Sequence, residues 1–387
     1  MKVSCLQENL VKALDRVSRI APKSGRGPLP QCSHVLLATD QGRLKLTTTD
    51  LETAFTTSIG AGVDEEGALT VPVHALRDYI KSLPKDRIDL SNEKVRLLVV
   101  CGTAQSYFPC RNASDFPPTP TMGDGVTVTV EPAALGRAIK RAEFAAASDD
   151  TRPVLTGVHI TVEDRELTLA AADGFRLAVH KLPLAQEQAV PGRVEMTVPV
   201  KAMRELQRLI AKEEEPVGIT FDAARVLFHL QMADLLTTAI AGSYPDYSQL
   251  IPQAYNSRAV IDVHQFSQEV QRAAIVARDG SGVVRLQVVA GDAGRPARMI
   301  VSARMEEFGE HRGEIDVTLE GESANIAFDY KYLRDALWVL DCSQVALETT
   351  APDRPGVIRP IGQEQGAEDY LYMVMPMFID WKKEDPK

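Results

Sequence analysis

Apolar residues recur at helical spacing in six stretches of the chain, and alternate with polar ones in the segments between them. The first stretch, Gln7–Ile20, puts Leu10, Val11, Leu14 and Val17 on one stripe. Its counterparts are Glu131–Arg141 and His264–Arg278, and aligning Leu10, Leu135 and Phe266 superposes Arg16, Arg141 and Arg272 one turn later. The other three predicted helices are His74–Lys85, Lys201–Lys212 and Asp329–Leu340. Alternation predicts half-buried antiparallel strands at His34–Thr39, Arg43–Thr48, Arg87–Leu90 and Val95–Val100 in the first third. In the central third it predicts Gly157–Val162, Glu166–Ala171, Val217–Phe221 and Arg225–Gln231. The last third has Val283–Val289, Ala297–Ala303, Val345–Glu348 and Tyr370–Met375. Asp40-Gln41-Gly42 and Glu163-Asp164 read as hairpin turns.

The order helix–strands–helix–strands is written three times. Thr197-Val198-Pro199-Val200-Lys201-Ala202-Met203-Arg204 repeats Thr70-Val71-Pro72-Val73-His74-Ala75-Leu76-Arg77, with a looser copy at Ala327–Arg334. The equivalent arginines, 77, 204 and 334, are 127 and 130 residues apart. Self-similarity at that period reads as one unit of helices and strands written three times. Pro-rich punctuation at Asp115–Pro120 and Tyr244–Pro252 sets the boundaries at 1–121, 122–253 and 254–387.

A chain of 387 residues, 44% hydrophobic, can build several cores. Its five cysteines are scattered without a C-x-x-C pair, so neither a disulfide framework nor a zinc site is encoded, and no cofactor is expected. No signal-like segment or membrane-length apolar run is present, and a cytoplasmic location is expected. Phosphate-loop, dinucleotide, zinc-protease and nucleophile-elbow motifs are all missing. Asp149-Asp150 could form an acid pair, but adjacent loop acids are ordinarily just solvated. An enzyme is not expected.

Charge changes this picture. The six helical stretches together carry +9, so the remainder carries −19 of the net −10. Basic helices in an acidic chain, with arginines at equivalent places, favour a polyanion that meets the helices together. Packed about 10 Å apart, six helices closed into a ring leave a bore of only about 10 Å, and twelve leave roughly 30 Å. Only the second admits a nucleic-acid duplex, whose major groove alone is about 12 Å wide. A ring would therefore need two chains.

The triple repeat, the T-V-P-V helices, Ala172-Asp173-Gly174-Phe175-Arg176-Leu177-Ala178, Tyr244-Pro245-Asp246-Tyr247 and Val374-Met375-Pro376-Met377 occur in one order and spacing. In these the chain resembles the bacterial DNA polymerase III β subunit family, the replicative sliding clamps, over essentially its whole length. The resemblance implies three clamp (processivity-fold) domains of a shared α+β fold, closed head-to-tail into a dimeric ring with helices inside and antiparallel sheets outside. It implies no catalysis. Such a ring encircles double-stranded DNA without regard to sequence and tethers the polymerase III α subunit, the clamp loader and other proteins bearing clamp-binding motifs.

Carried onto this sequence, the resemblance implies DNA contacts from Arg26, Arg77, Arg137, Lys140, Arg141, Arg152, Lys201, Arg204 and Arg208. The subunit seam maps onto Tyr107, Phe108, Arg272, Ile275 and Val276. A peptide groove maps onto Leu155, Ala172, Gly174, Phe175, Arg176, Leu177, Pro245, Gln249, Leu250, Met375, Pro376 and Met377. Gly174 is expected to keep a cleft open beneath a D-G turn. Three departures stand out: Ala172 and Phe175 replace the family's frequent Thr and His, Gln249 replaces a basic residue of some members, and residues 378–387 extend the usual end. Two other readings stay open on sequence alone. A monomeric three-domain scaffold or adhesion protein explains the repeat but not the helix charge, and a carboxylate-dependent hydrolase would need a pocket with two perturbed acids.

Overall fold

All six predicted helices form, with ends shifted by at most a few residues. The computed structural model describes residues 1–23, 25–119, 121–185, 190–278, 280–292, 294–305, 309–362 and 370–379. The helices are α1 (Gln7–Val17), α2 (Val73–Ser82), α3 (Pro132–Glu143), α4 (Val200–Ile210), α5 (Val263–Ala277) and α6 (Tyr330–Val339). Their buried stripes follow the apolar periodicity: Leu10, Ala13, Leu14 and Val17 on α1, and Phe266, Val270, Ala273 and Ala277 on α5. A strand leads directly into each of α1, α2, α4, α5 and α6. Pro72 and Pro199 end two of these strands, whereas Asp262 and Asp329 cap α5 and α6 by accepting from the backbone N–H of Gln265 (2.9 Å) and Lys331 (2.8 Å). Each Asp cap stabilises its helix by about 1 kcal/mol.

The Asp40-Gln41-Gly42 hairpin is present. Strands His34–Asp40 and Arg43–Thr49 are joined by Gln41 (φ 47°) and Gly42 (φ 75°), both left-handed, which matches the twist of a two-residue hairpin. Asp164 (φ 52°) plays the same part at the end of strand Gly157–Asp164.

The strands do not stay within the thirds of the sequence. Met1–Ala133 and Lys201–Ala239 form one compact unit, Ala134–Val200 and Ile240–Lys387 the other. In the first unit strand Thr53–Gly60 pairs antiparallel with Ala233–Thr238, setting Phe55 opposite Leu235 and fusing strands of the first and central thirds into one nine-stranded sheet. Thr53 and Thr237 share a buried hydroxyl contact of 3.1 Å across that join. In the second unit Arg176–Pro183 pairs with Tyr370–Val374, joining central and last thirds into another nine-stranded sheet. Of these four pairing strands the sequence pattern predicts only Tyr370–Val374. Arg176, His180 and Lys181 interrupt the alternation in its partner, and threonines blur it in Thr53–Gly60 and Ala233–Thr238.

Each unit also has a smaller sheet with an unpaired edge. Ala104–Pro109 ends a five-stranded sheet in the first unit, and Gly309–Asp316 ends a four-stranded sheet in the second. Among the described residues no helix is long and apolar enough to cross a membrane.

Candidate functional site

The predicted groove residues all lie in the second unit, and its sheet join builds the floor. Leu177 sits opposite Met373 across that join and packs with Ala170, Val179 and Val357 in a buried cluster. Ala172, Tyr247 and Ile251 cover this cluster. Leu155 is equally buried, in the short turn Pro153–Thr156. Leu155 and Leu177, expected to line the groove, are thus covered rather than open. Tyr247, Ile251 and Met373 carry no local signal that marks them for the groove. Their part depends on meeting Leu177, which is distant from all three in sequence.

The rim is apolar and accessible. Phe175 is 60% exposed and Leu250 59%, with Met375 and Met377 also exposed. The Met375 N–H donates to the Phe175 carbonyl (2.8 Å), and the Met377 N–H to the Ala327 carbonyl (2.7 Å). Pro376 has no N–H to give, so the ladder stops at Val374 and the Met side chains leave the sheet. Pro245 and Gln249 lie on the facing loop, where Asp246 accepts from the Ser248 N–H (2.9 Å) and loosely from Gln249 Nε2 (3.4 Å). Phe378 is 94% exposed at the end of this run, and Trp381 lies outside the described residues.

Arg176 is held from several sides, next to the exposed Phe175. Its Nε donates to Asp173 Oδ2 and its Nη1 to Asp335 Oδ2, both at 2.9 Å. The guanidinium also lies over Tyr332 at 4.8 Å and Phe144 at 5.5 Å. Phe175 stacks on the same Tyr332, with ring centroids 6.5 Å apart. Asp173 Oδ1 accepts from the backbone N–H groups of Phe175 and Arg176, which fixes the turn that presents Phe175.

Gly174 and the exposed Arg152, expected in separate roles, lie against each other. Gly174 adopts φ 96°, but a Cβ there would strike the Arg152 guanidinium at 2.5 Å rather than fill a cleft beneath. Arg152, expected at DNA, donates from Nη2 to the Asp173 carbonyl (2.8 Å) and so lies across the groove turn. Gly174 makes room for that arginine.

Arg141 is a firmer correction. Expected at DNA, it is 1% exposed, ion-paired with Asp341 and placed 5.5 Å from the Tyr370 ring centre. Alignment of the repeats puts it level with the accessible Arg272, but the helix turns it inward. Beside it, buried His180 faces Tyr370 (centroids 5.8 Å) with an imidazole pKa pushed down to about 4, by burial first and then by Arg141 and Arg137, against a weaker opposing pull from Asp341. The unfolded chain therefore binds a proton that the folded one refuses between about pH 6.5 and 4. Stability is full above that window and falls as pH drops through it. Urea unfolding at pH 5 should show a loss on the order of 1–2 kcal/mol relative to pH 7, and His180→Gln should flatten that slope. An unchanged slope would mean that other groups set the acid response.

The remaining expected DNA residues are accessible in varying degree, and several have local partners. Lys201 Nζ meets Asp50 at 2.6 Å, Arg208 meets buried Glu205 at 2.7 Å, and Arg19 meets the same carboxylate at 3.2 Å. Arg77 spans Asp78 (2.7 Å) and Ser18 Oγ (3.1 Å), just past the end of α1. Arg204 is exposed on α4, Arg137 and Lys140 are half-buried on α3, and Arg26 is exposed in its loop. In the Lys201 and Arg208 pairs the cation is exposed and its carboxylate largely buried, so the cationic end faces solvent while the pair stays made.

At the expected seam, Tyr107 (45% exposed) and Phe108 lie on the edge strand Ala104–Pro109, and Phe108 packs 5.4 Å from Tyr79 of α2. Ile275 is 69% exposed on α5, which packs beside the other edge strand, Gly309–Asp316. Arg272 is held by Glu269, and Glu269 in turn meets His311 on that strand at 3.1 Å. Val276 is half-buried.

Comparison with known proteins decides the family. The DNA polymerase III beta subunit descriptions match in order and nearly end to end: N-terminal domain at residues 1–120, central domain at 129–246, C-terminal domain at 248–377. The chain belongs to the sliding clamp family. A beta sliding clamp of Synechococcus elongatus is 30% identical over 383 residues, covering 97% of this chain and 99% of that one. One from Pseudomonas putida is 31% identical over 381 residues, covering 97% and 100%. The crystal structure of a Pseudomonas aeruginosa DNA polymerase sliding clamp with ligand superposes at a TM-score of 0.89, with 29% identity and coverage of 98% and 100%. Members are non-catalytic processivity subunits, and neither the adhesion nor the hydrolase alternative finds support among these relatives. Among the described residues no group of three or more His, Cys, Asp or Glu is placed to hold a metal. The C-terminal match ends at Met377, so residues 378–387 lie beyond it.

Proposed function

We propose that this clamp subunit closes head-to-tail with a second copy into a ring around double-stranded DNA, and that the groove at Phe175, Leu250 and Met375–Met377 takes short peptides of the replicative polymerase α subunit, the clamp loader and related factors. The full-length match to clamp proteins carries the reading. Its division into three clamp domains at 1–121, 122–253 and 254–387 belongs to the same proposal. The edge strands Ala104–Pro109 and Gly309–Asp316 support closure, because each offers unpaired backbone groups beside exposed apolar residues. Arg26, Arg77, Arg137, Lys140, Lys201, Arg204 and Arg208 would meet phosphates inside the ring. Arg141 has no place among them, since it is buried.

Because the chain is acidic and Arg77, Lys201 and Arg208 are shared with local carboxylates, bare affinity for linear duplex should be weak and abolished by moderate salt. After loader-assisted assembly on nicked circles, the protein should remain bound at that same salt until the circle is cut. Equal loss from intact and linearised circles would sink the ring. Arg137→Glu with Arg204→Glu should lower loading without touching peptide binding. Arg208 is better changed to Gln, since Glu there would oppose Glu205.

A further inference from the structure

The solvent face of α6 carries more than its balanced charge suggests. Lys331, Arg334 and Trp338 stand at i, i+3 and i+7, on one stripe opposite the buried Leu333, Ala336 and Leu337. Trp338 is 77% exposed. An indole so open to water contributes little to the core, although aromatic rings of this size usually bury most of their surface. Two cations and one acid lie beside it. Asp335 accepts from Arg176 Nη1 at 2.9 Å and from Arg334 Nη2 at 3.1 Å, and Arg176 is also shared with Asp173, so Arg334 turns to a phosphate by giving up Asp335, while Lys331 is exposed on the same stripe. Lys331 and Arg334 each lie 5.9 Å from the Tyr330 ring centre, which keeps both side chains close along the helix.

We propose that this face is a stacking platform for unpaired bases of single-stranded DNA, with Trp338 under a base and Lys331 and Arg334 on the flanking phosphates. The inference rests on the reading that these helices face DNA, and adds a second mode of contact to it. A duplex shows a side chain only its backbone and groove edges, because its base faces are already stacked. An unpaired base offers its π-face to any aromatic ring, independent of sequence. An indole flanked by two cations suits that ligand better than it suits a duplex, for which the cations alone would serve. The consequence is a preference for places where duplex gives way to single strand.

The test uses full-length protein. The chain has two tryptophans, so Trp381→Phe leaves Trp338 as the only one. Oligo(dT) should quench its fluorescence in a salt-sensitive manner, and a blunt duplex of equal length should quench it far less. In the full chain Trp338→Ala should weaken oligo(dT) binding on the order of 10- to 100-fold, and Trp338→Phe should restore most of the loss. Native mass and retention on nicked circles should stay as in the unsubstituted protein. Quenching by duplex as strong as by oligo(dT), or an oligo(dT) affinity indifferent to Trp338→Ala, overturns the proposal. So does quenching by a clamp-binding peptide without any by DNA, which would make the face a protein surface. Escape of the unsubstituted protein from intact circles would instead defeat the ring reading, and the two failures are separable.

Discussion

Ile275→Asp should turn the clamp dimer into a folded monomer. Ile275 is an aliphatic side chain 69% exposed on α5, beside the edge strand Gly309–Asp316. In a closed ring it would lose that exposure against the partner. Burying an unpaired carboxylate there costs several kcal/mol, while the lost Ile adds up to about 2 kcal/mol of apolar burial. Together they shift the dimerisation constant by three or more orders of magnitude, at about 1.4 kcal/mol for each factor of ten. The subunit itself should be indifferent, since the core stripe of α5 runs through Phe266, Val270, Ala273 and Ala277 on its other face. Sedimentation should give the monomer mass with unaltered far-UV circular dichroism and melting. A dimer with unchanged concentration dependence would place the seam elsewhere.

Deleting Met375–Lys387 should abolish binding of polymerase and loader peptides while leaving the dimer intact. The cut removes Met375 and Met377 from the groove rim with two backbone hydrogen bonds, to the Phe175 and Ala327 carbonyls. It spares strand Tyr370–Val374, which keeps its pairing with Arg176–Pro183. A peptide Leu or Phe buried against flexible Met side chains gains about 2–3 kcal/mol. Losing two such contacts weakens a micromolar peptide by a hundredfold or more. Titration calorimetry with a Leu-Phe-containing peptide reads this directly, and undiminished affinity would rule the groove out. Removing only Phe378–Lys387 separates two roles for the extension. Tighter binding would mean that the extension, with its exposed Phe378, competes for the groove; weaker binding would mean that it forms part of the wall.

Much of the fold is legible in the sequence because its signals are local. A stripe such as Leu10, Leu14 and Val17 forces a helix whose buried face is set by spacing alone, and the left-handed Gln41-Gly42 pair forces a hairpin. Repetition of the strand–helix junction at Pro72, Pro199 and Asp329 gives the triple unit, and the ordered motifs give the family. The resemblance names the residues expected to form a groove, but not what each of them meets.

Tertiary structure decided what depends on distant partners. Strand pairing is a choice among edges far apart in sequence, so nothing local to Thr53–Gly60 or Arg176–Pro183 says that they join Ala233–Thr238 and Tyr370–Val374. The same holds for single side chains. Arg141 and Arg272 are equivalent by alignment, yet one is buried against Asp341 and Tyr370 and the other is exposed. Arg152 carries the same charge as the helix cations, but a glycine 22 positions away leaves it the space to lie over the groove. Charge and periodicity are written in the chain itself. Which carboxylate, ring or glycine each arginine meets is fixed only when separate strands come into register.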